Sequence, residues 1–347
     1  MASHPLFDLK VADLFTRNEE MERCLKLAAL AAESEVPVLI LGETGTGKTL
    51  LAQAIHNSSR RADRPFVSFN ASAMSDTLLE SQLFGHERGA FTGAQKTVKG
   101  KFELADLGTL FFDEIADMSP LAQAKVLRAV EYGEFERLGS ERMLRSDVRI
   151  ISATNTSLRE RIRQRGFRED LYHRLAGLTL HIPALRQRPE DLPGLIAVEL
   201  RAQAANAEKN ITAIHPAAME TLLAYAWPGN LRELHHTVRT IVLFCHTEEV
   251  RPEHVIFQPA LYSVDVGVAG GPVQALSPHQ QQTGTNANSG PNSHSLAAAI
   301  QRHIQFVYEQ NGRNQRQTAK RLGISRSRLA RHLREMKSAQ LGAERSG

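Results

Sequence analysis

The chain has 347 residues, 42% of them hydrophobic, with a formal net charge of +4, enough to bury a substantial core in two or three units. Its longest apolar runs, such as Val36 to Leu41, are too short to cross a bilayer, and no basic stretch leads into an apolar one at the N-terminus, so the cytoplasm is the expected compartment. Cys24 and Cys245 are the only cysteines, which excludes a disulfide framework and a cysteine-based metal centre.

In chain order, Thr16 with Glu19 reads as a capping box opening a helix that runs to about Ala32. From Val36 the pattern is α/β. Apolar runs at 36–41, 66–69, 109–112, 148–153 and 178–182 alternate with helical segments, predicting a largely parallel sheet covered by helices on both faces. After Pro189 no further strand is expected. The segment from Asp191 to about Thr247 reads as a small helical subdomain, with Trp227-Pro228-Gly229-Asn230 as the break before its last helix. Composition then turns to Gly, Pro, Gln, Asn and Ser, most clearly from Val264 to His294, and a flexible linker is expected over 258–294.

Residues 295–347 read as three helices. Ile300, Ile304 and Val307 mark one face, Ala319 and Leu322 a second, and Leu329 and Leu333 a third, with Gly323 at the turn. Between Arg313 and Lys337 stand nine Lys/Arg and one acid, Glu335, a local charge of +8 that leaves −4 on the remainder. A basic end on a slightly acidic body is the footprint of a nucleic-acid-binding terminus, with a solvated charged helix as the alternative, and the three-helix pattern reads as a helix-turn-helix, with a basic three-helix module for protein binding as the alternative.

The chemistry starts at Gly42-Glu43-Thr44-Gly45-Thr46-Gly47-Lys48-Thr49, which follows an apolar strand and opens a helix. In that context backbone N–H groups and the helix N-terminus converge on phosphates. ATP with Mg²⁺ is the expected ligand, Lys48 meeting the β- and γ-phosphates and Thr49 the metal. Asp113-Glu114, at the end of the run 109–112, supplies the remaining groups: Asp113 holds the metal or its water shell, and Glu114 takes a proton from the attacking water.

Six segments in fixed order now carry a resemblance: Leu83 to Arg88 followed by Gly89-Ala90-Phe91-Thr92-Gly93-Ala94; Gly108 to Glu114; Ala153-Thr154-Asn155; Phe167 to Leu175; and Trp227 to Leu234. Together they resemble the central AAA+ domain of the sigma-54-dependent transcriptional activators and cover most of residues 20–257. The resemblance implies an AAA+ unit over 1–257 with a helical lid from about 190, and a Fis-type helix-turn-helix unit over 295–347. It implies ATP hydrolysis, with Asn70 holding Glu114 in a nucleotide-dependent switch, Thr154 and Asn155 sensing the γ-phosphate, and Arg232 reaching nucleotide from the lid. Arg168 and Arg174 would be fingers in the neighbouring subunit's site, in an active hexameric ring. The loop 89–94 would contact sigma-54 RNA polymerase, supported by a second loop around Gly139 to Ser146. In the terminal unit, Ser325, Arg326, Ser327, Arg328 and Arg331 would face the major groove and phosphates of enhancer DNA.

Three positions depart from the family pattern: Thr49 stands where Glu is common, Leu107 where Gly is usual before the acidic strand, and Gln82 where Glu is usual. The roughly 35 residues ahead of the first strand are too few for a receiver or ligand-sensing domain. The expected type is therefore the short activators typified by the phage shock protein activator, which a separate protein restrains; control by expression alone is the other option. Two rival functions stay open at this level, a DNA-binding AAA+ factor that moves or loads another protein, and a repressor that uses ATP only as a ligand.

Overall fold

The computed structural model describes residues 8–72 and 74–257, together with Tyr308, Asn314, Gln315, Gln317, Thr318 and Leu329. The chain divides into two units, Met1–Val268 and Ala269–Gly347.

The strands of the first unit are β1 (Val38–Leu41), β2 (Phe66–Asn70), β3 (Gly85–His86), β4 (Val98–Lys99), β5 (Thr109–Asp113), β6 (Glu134–Glu136), β7 (Met143–Arg145), β8 (Arg149–Thr154), β9 (Leu178–His181), β10 (Ala213–Ile214) and β11 (Glu249–Val250). Its helices are α1 (Glu19–Ala32), α2 (Lys48–Asn57), α3 (Asp76–Phe84), α4 (Lys101–Leu104), α5 (Pro120–Tyr132), α6 (Leu158–Arg163), α7 (Glu169–Leu175), α8 (Leu192–Asn206), α9 (Pro216–Ala224) and α10 (Asn230–Phe244). Five of the strands form one sheet in the order β2-β5-β8-β1-β9, every pair parallel. These are the five apolar runs of the sequence.

Alternation within those runs sorts the side chains into two layers. Leu39, Leu110, Phe112 and Ile150 pack with α3, α4, α5 and α7, while Val38, Ile40, Phe111 and Ile151 pack with α1 and α2. Both faces are thus buried, as parallel strands without hydrogen-bonded turns between them require. A third core joins α8, α9 and α10 around Trp227, which is fully buried and donates its Nε1–H to the Leu222 carbonyl at 3.0 Å.

Two readings need correction. The helix α1 is capped by Asn18, whose side chain accepts from the Met21 N–H; Thr16 stands two residues ahead of that cap, its hydroxyl accepting from Asn18 N–H at 3.1 Å and donating to Asp191 at 2.7 Å. The lid also contains strands, because β10, between α8 and α9, pairs in parallel with β11, after α10. In the second unit, Asn314 accepts from the Gln317 and Thr318 N–H groups and Thr318 and Leu329 are fully buried; the expected linker and Ser325, Arg326, Ser327, Arg328 and Arg331 lie outside the described residues.

Leu107 has φ 61°, in the left-handed region, and its side chain is exposed. The turn is forced by its neighbour: at Gly108 a Cβ would stand 2.1 Å from the Pro65 carbonyl oxygen, while Leu107 N–H donates to the Asp147 carbonyl. A left-handed residue with a Cβ costs roughly 1–2 kcal/mol, and glycine returns part of that as unfolded-state entropy. Leu107→Gly is therefore expected to stabilise the first unit by about 1 kcal/mol, read as a higher midpoint in urea unfolding; a lower midpoint would refute the strain.

Candidate nucleotide site and the loop beside it

The site residues are the last residues of neighbouring strands or the first beyond them. Leu41 pairs with Thr154 in register, and Asn70 pairs with Asp113, so the phosphate loop, the acidic pair and Thr154-Asn155 emerge at one carboxyl edge of the sheet, where open α/β sheets bind ligands.

Within the phosphate loop, Gly45 and Gly47 have φ 82° and 103°, and Gly47 leads into α2 with no side-chain cap on its first N–H groups. Those donors and the helix dipole make an anion cradle. Lys48 is only 6% exposed. Its ammonium donates to the Gly42 and Glu43 carbonyls at 3.0 and 3.3 Å and lies 3.3 Å from Glu114. Thr49 follows with an exposed hydroxyl. Together these residues fit a triphosphate: the cradle supplies neutral donors, and Lys48 is held where a γ-phosphate can replace Glu114 as its counter-charge.

Glu114 occupies φ 52°, another left-handed backbone at a residue with a Cβ. Its carboxylate accepts from the Asn155 N–H at 3.1 Å, and the Asn155 amide donates to the Thr44 hydroxyl at 2.8 Å. Asn155 therefore bridges the acidic pair and the phosphate loop. Thr154 is fully buried, its hydroxyl accepting from Thr156 N–H. Asn70 accepts from Ser72 N–H, and Ser72 donates its hydroxyl to Asp117; the expected Asn70 hold on Glu114 is not formed among the described residues in this conformation. Burial, and then the Glu114 carboxylate, push Asp113 above its ordinary value, with Lys48 opposing. A carboxylate pair under that repulsion suits a divalent cation, with Asp113 and Thr49 as its candidate holders.

The lid closes on the loop through backbone. Leu231 N–H donates to the Gly45 carbonyl at 2.9 Å, and a Cβ at Gly45 would stand 2.4 Å from the Gly229 carbonyl oxygen. Asn230 gives its amide to Glu43 and to the Thr44 carbonyl, and accepts from Leu185 N–H. Glu43 is also gripped by Arg186, which holds its carboxyl below the usual range. Glu233, fully buried, braces this turn by accepting from Gly229 N–H and the Tyr225 hydroxyl. Arg232 is exposed, its Cβ against Gly45. A cleft of about 560 Å³ opens beside Thr46 and Gly47, walled by Leu14, Phe15, Leu195 and Leu231; its size and apolar walls suit a nucleoside. Asp191 anchors one wall by accepting from the Thr16 hydroxyl and the Arg17 N–H.

Arg168 and Arg174 lie apart from this cleft's contacts. Arg168 opens α7, its N–H bound by Gln123 and its guanidinium paired with Asp170; Arg174 pairs with Glu131. Both side chains are about half exposed, at 46% and 53%.

The loop Gly89 to Ala94 projects between β3 and β4, which pair antiparallel. Thr92 is exposed, but Phe91 is half-buried, its ring edge-on to His86 at a centroid distance of 5.0 Å. The aromatic tip is folded down onto His86. The hairpin β6–β7 lies beside it: Leu138 bonds Gly85 and Glu87 through backbone, and Gly139 abuts Ala90. Arg137 pairs with Glu87 and Glu103; the Thr97 hydroxyl and then Arg137 pull the Glu87 carboxyl down, and at Glu103, against burial, Arg137 does the same. The supporting loop expected around Gly139 thus touches the root of the loop 89–94.

A phosphate loop, an acidic pair two strands away and a helical lid seated on the loop by backbone contact place the chain among the AAA+ P-loop ATPases. Residues 14–181 match the Sigma-54 interaction domain and residues 186–260 the AAA+ ATPase lid domain. The chain belongs to the family of sigma-54-dependent transcriptional activators. It is similar to the transcriptional regulatory protein ZraR of Klebsiella oxytoca, 41% identical over 310 residues, 89% of this chain and 66% of ZraR. It is similar to the formate hydrogenlyase transcriptional activator of Salmonella typhimurium, 48% identical over 236 residues, 68% of this chain and 34% of that protein. Among solved structures, NtrX of Brucella abortus in complex with ATP superposes with a TM-score of 0.65 at 30% identity, over 93% of this chain and 69% of that one. The chain thus spans between a third and two thirds of the length of these curated relatives.

Sequence reasoning found the phosphate loop, the acidic pair and Asn155. It missed Asn230 and the Glu43–Arg186 pair as the lid's contacts, although both stand inside segments it quoted or adjoined, and it missed the cleft wall, whose Leu14 and Phe15 carry no signal beyond apolarity.

Two outcomes are expected. Glu114→Gln should keep nucleotide affinity and lower turnover by roughly 10²–10⁴-fold; turnover within a few-fold of the parent would remove Glu114 as the base. A carboxyl whose value is raised in the folded state costs stability once ionised, so the cost is absent below the ordinary 3.8 and grows as pH rises through the folded value. Asp113→Asn should then raise the Tm of the nucleotide-free protein at about pH 8, with the gain shrinking toward about pH 4.5; a pH-independent gain would contradict the assignment.

Proposed function

We propose that the chain is an ATP-hydrolysing transcription activator that remodels the closed sigma-54 polymerase complex to an open one. The observation that supports this reading most is the seating of the loop 89–94 on the ATPase body: its root is bound by the hairpin β6–β7 and its tip, Thr92, faces solvent. A partner grips such a tip while the body beneath changes with nucleotide.

In the hydrolysing site Gly45, Gly47 and the first N–H groups of α2 would bind the phosphates, and Lys48 would exchange Glu114 for the γ-phosphate. Release from Lys48 frees Glu114 to take a proton from water, with Asn155 keeping its carboxylate oriented through the 3.1 Å bond. Thr49 and Asp113 would hold Mg²⁺, which supplies neutralisation of the charge that develops on the leaving phosphate. The half-exposed Arg168 and Arg174 would leave Asp170 and Glu131 to enter a neighbouring copy's site, so that turnover awaits assembly of a ring of six. Fingers of this kind contribute roughly 10³–10⁵ in rate. Residues 313–337, with Ser325, Arg326, Ser327, Arg328 and Arg331 foremost, would hold the protein on enhancer DNA upstream of the promoter.

The test is open-complex formation on a sigma-54 promoter with purified chain, comparing ATP with a non-hydrolysable analogue. Opening with ATP alone is expected. No opening despite measured ATP turnover would favour the loading-factor reading. Thr92→Ala separates the two further: it should retain ATP turnover and lose promoter opening, whereas a loading factor that does not use this loop keeps its activity.

A further inference from the structure

We propose that His86 is a latch holding the loop 89–94 down, set by Ser81, so that the Phe91 ring is withheld from the partner until the latch yields. The partner's identity rests on the function proposed above; the latch itself does not.

The loop is internally complete. Gly89 N–H donates to the Ala94 carbonyl at 2.8 Å, Ala94 N–H to the Phe91 carbonyl at 3.0 Å and Ala90 N–H to the Glu87 carbonyl at 3.1 Å. Ala90 abuts Gly139 and Ala94 is buried, so the part free to move is the tip, Phe91 and Thr92, between the two glycines. The pivots are Gly89 and Gly93, with φ 87° and 106°, and no described heavy atom lies within 4 Å of where a Cβ would stand at either. What ties the tip to the body is the ring of Phe91, edge-on to His86 with planes inclined at 64°. His86 in turn is fixed by one bond, 2.8 Å between its Nδ1 and the Ser81 hydroxyl on α3. Ser81 is itself buried at 6% exposure, so the ring sits at the end of a rigid post.

A phenylalanine serving the core would be buried among aliphatic side chains. Phe91 is only half-buried and rests on a polar ring at the surface. Edge-to-face pairs shift a population by about three- to tenfold, enough to hold a loop down and little enough for one partner contact to reverse. His86 is thus a positioning residue that acts through Phe91.

The test attaches a spin label at Thr92→Cys in the full chain, where Cys24 and Cys245 are both buried and unreactive by comparison. The nucleotide-free parent should give a predominantly immobile spectrum. His86→Ala should raise the mobile fraction by about three- to tenfold, Ser81→Ala should move it in the same direction, and His86→Phe, which keeps a ring, should restore immobility. ATP turnover within twofold of the parent certifies that the variants are folded. An unchanged spectrum in His86→Ala overturns the latch, and if that variant does not fold, an unchanged spectrum in Ser81→Ala does so. In a second arm, unlabelled His86→Ala should capture purified sigma-54 without nucleotide about three- to tenfold more tightly than the parent. A freed label in a chain that never captures sigma-54, with ATP or with a transition-state analogue, supports the latch and overturns the partner assigned to the loop.

Discussion

One buried cation sets the terms for everything at the carboxyl edge of the sheet. Lys48 is almost wholly withdrawn from water, and an unpaired ammonium in that position costs several kcal/mol. It is tolerable only because two loop carbonyls and Glu114 converge on it. That convergence needs β1 and β5 to end at the same level, with β8 between them, which the parallel registers Leu41 to Thr154 and Phe112 to Ser152 provide. It also needs the chain to wrap tightly enough to aim carbonyls inward, hence left-handed glycines at 45 and 47. The two apolar layers behind the sheet make the edge stiff enough to keep these groups converged when nucleotide exchanges for Glu114.

Two strained residues near this edge show the difference between strain with and without a purpose in the site. Glu114 and Leu107 both occupy left-handed backbone, at φ 52° and 61°, each at a cost of order 1–3 kcal/mol. At Glu114 the turn lifts the carboxylate off the strand line toward Lys48 and Asn155. At Leu107 the side chain points to solvent, and the backbone geometry follows from Gly108 packing under Pro65. The first strain aims a carboxylate at Lys48 and Asn155; the second is a site where glycine would serve the fold better.

The five central strands were legible because each is a continuous apolar run, and continuous runs are what burial on both faces demands. Site residues were legible where chemistry dictates local spacing, as in the phosphate loop and Asp113-Glu114. Contacts between distant segments were not. Thr16 carries the signature of a helix cap, yet the cap is Asn18, and the Thr16 hydroxyl, which accepts from Asn18 N–H, donates to Asp191, 175 residues away. Asn230 reads as a turn residue, yet its whole amide joins the lid to Glu43, Thr44 and Leu185. The state of Phe91 was equally out of reach, since glycines on either side permit a raised or a lowered tip and only the distance to His86 decides between them. The short β10–β11 pair escaped because two-residue strands have no periodicity to detect.

Nucleotide and loop are joined through contiguous structure. Glu114 leads into the turn Ile115–Asp117; Asp117 accepts from the Ser72 hydroxyl, and Ser72 N–H donates to Asn70 at the end of β2. Four residues after Ser72, α3 begins, and its Ser81 carries His86. Coupling between sites requires an element with two arrangements that both sites bias, and α3 is the element that stands in the chain between Asn70–Ser72 and His86. The middle is held harder, because Glu80 on α3 is bound by Lys125 of α5 at 2.5 Å.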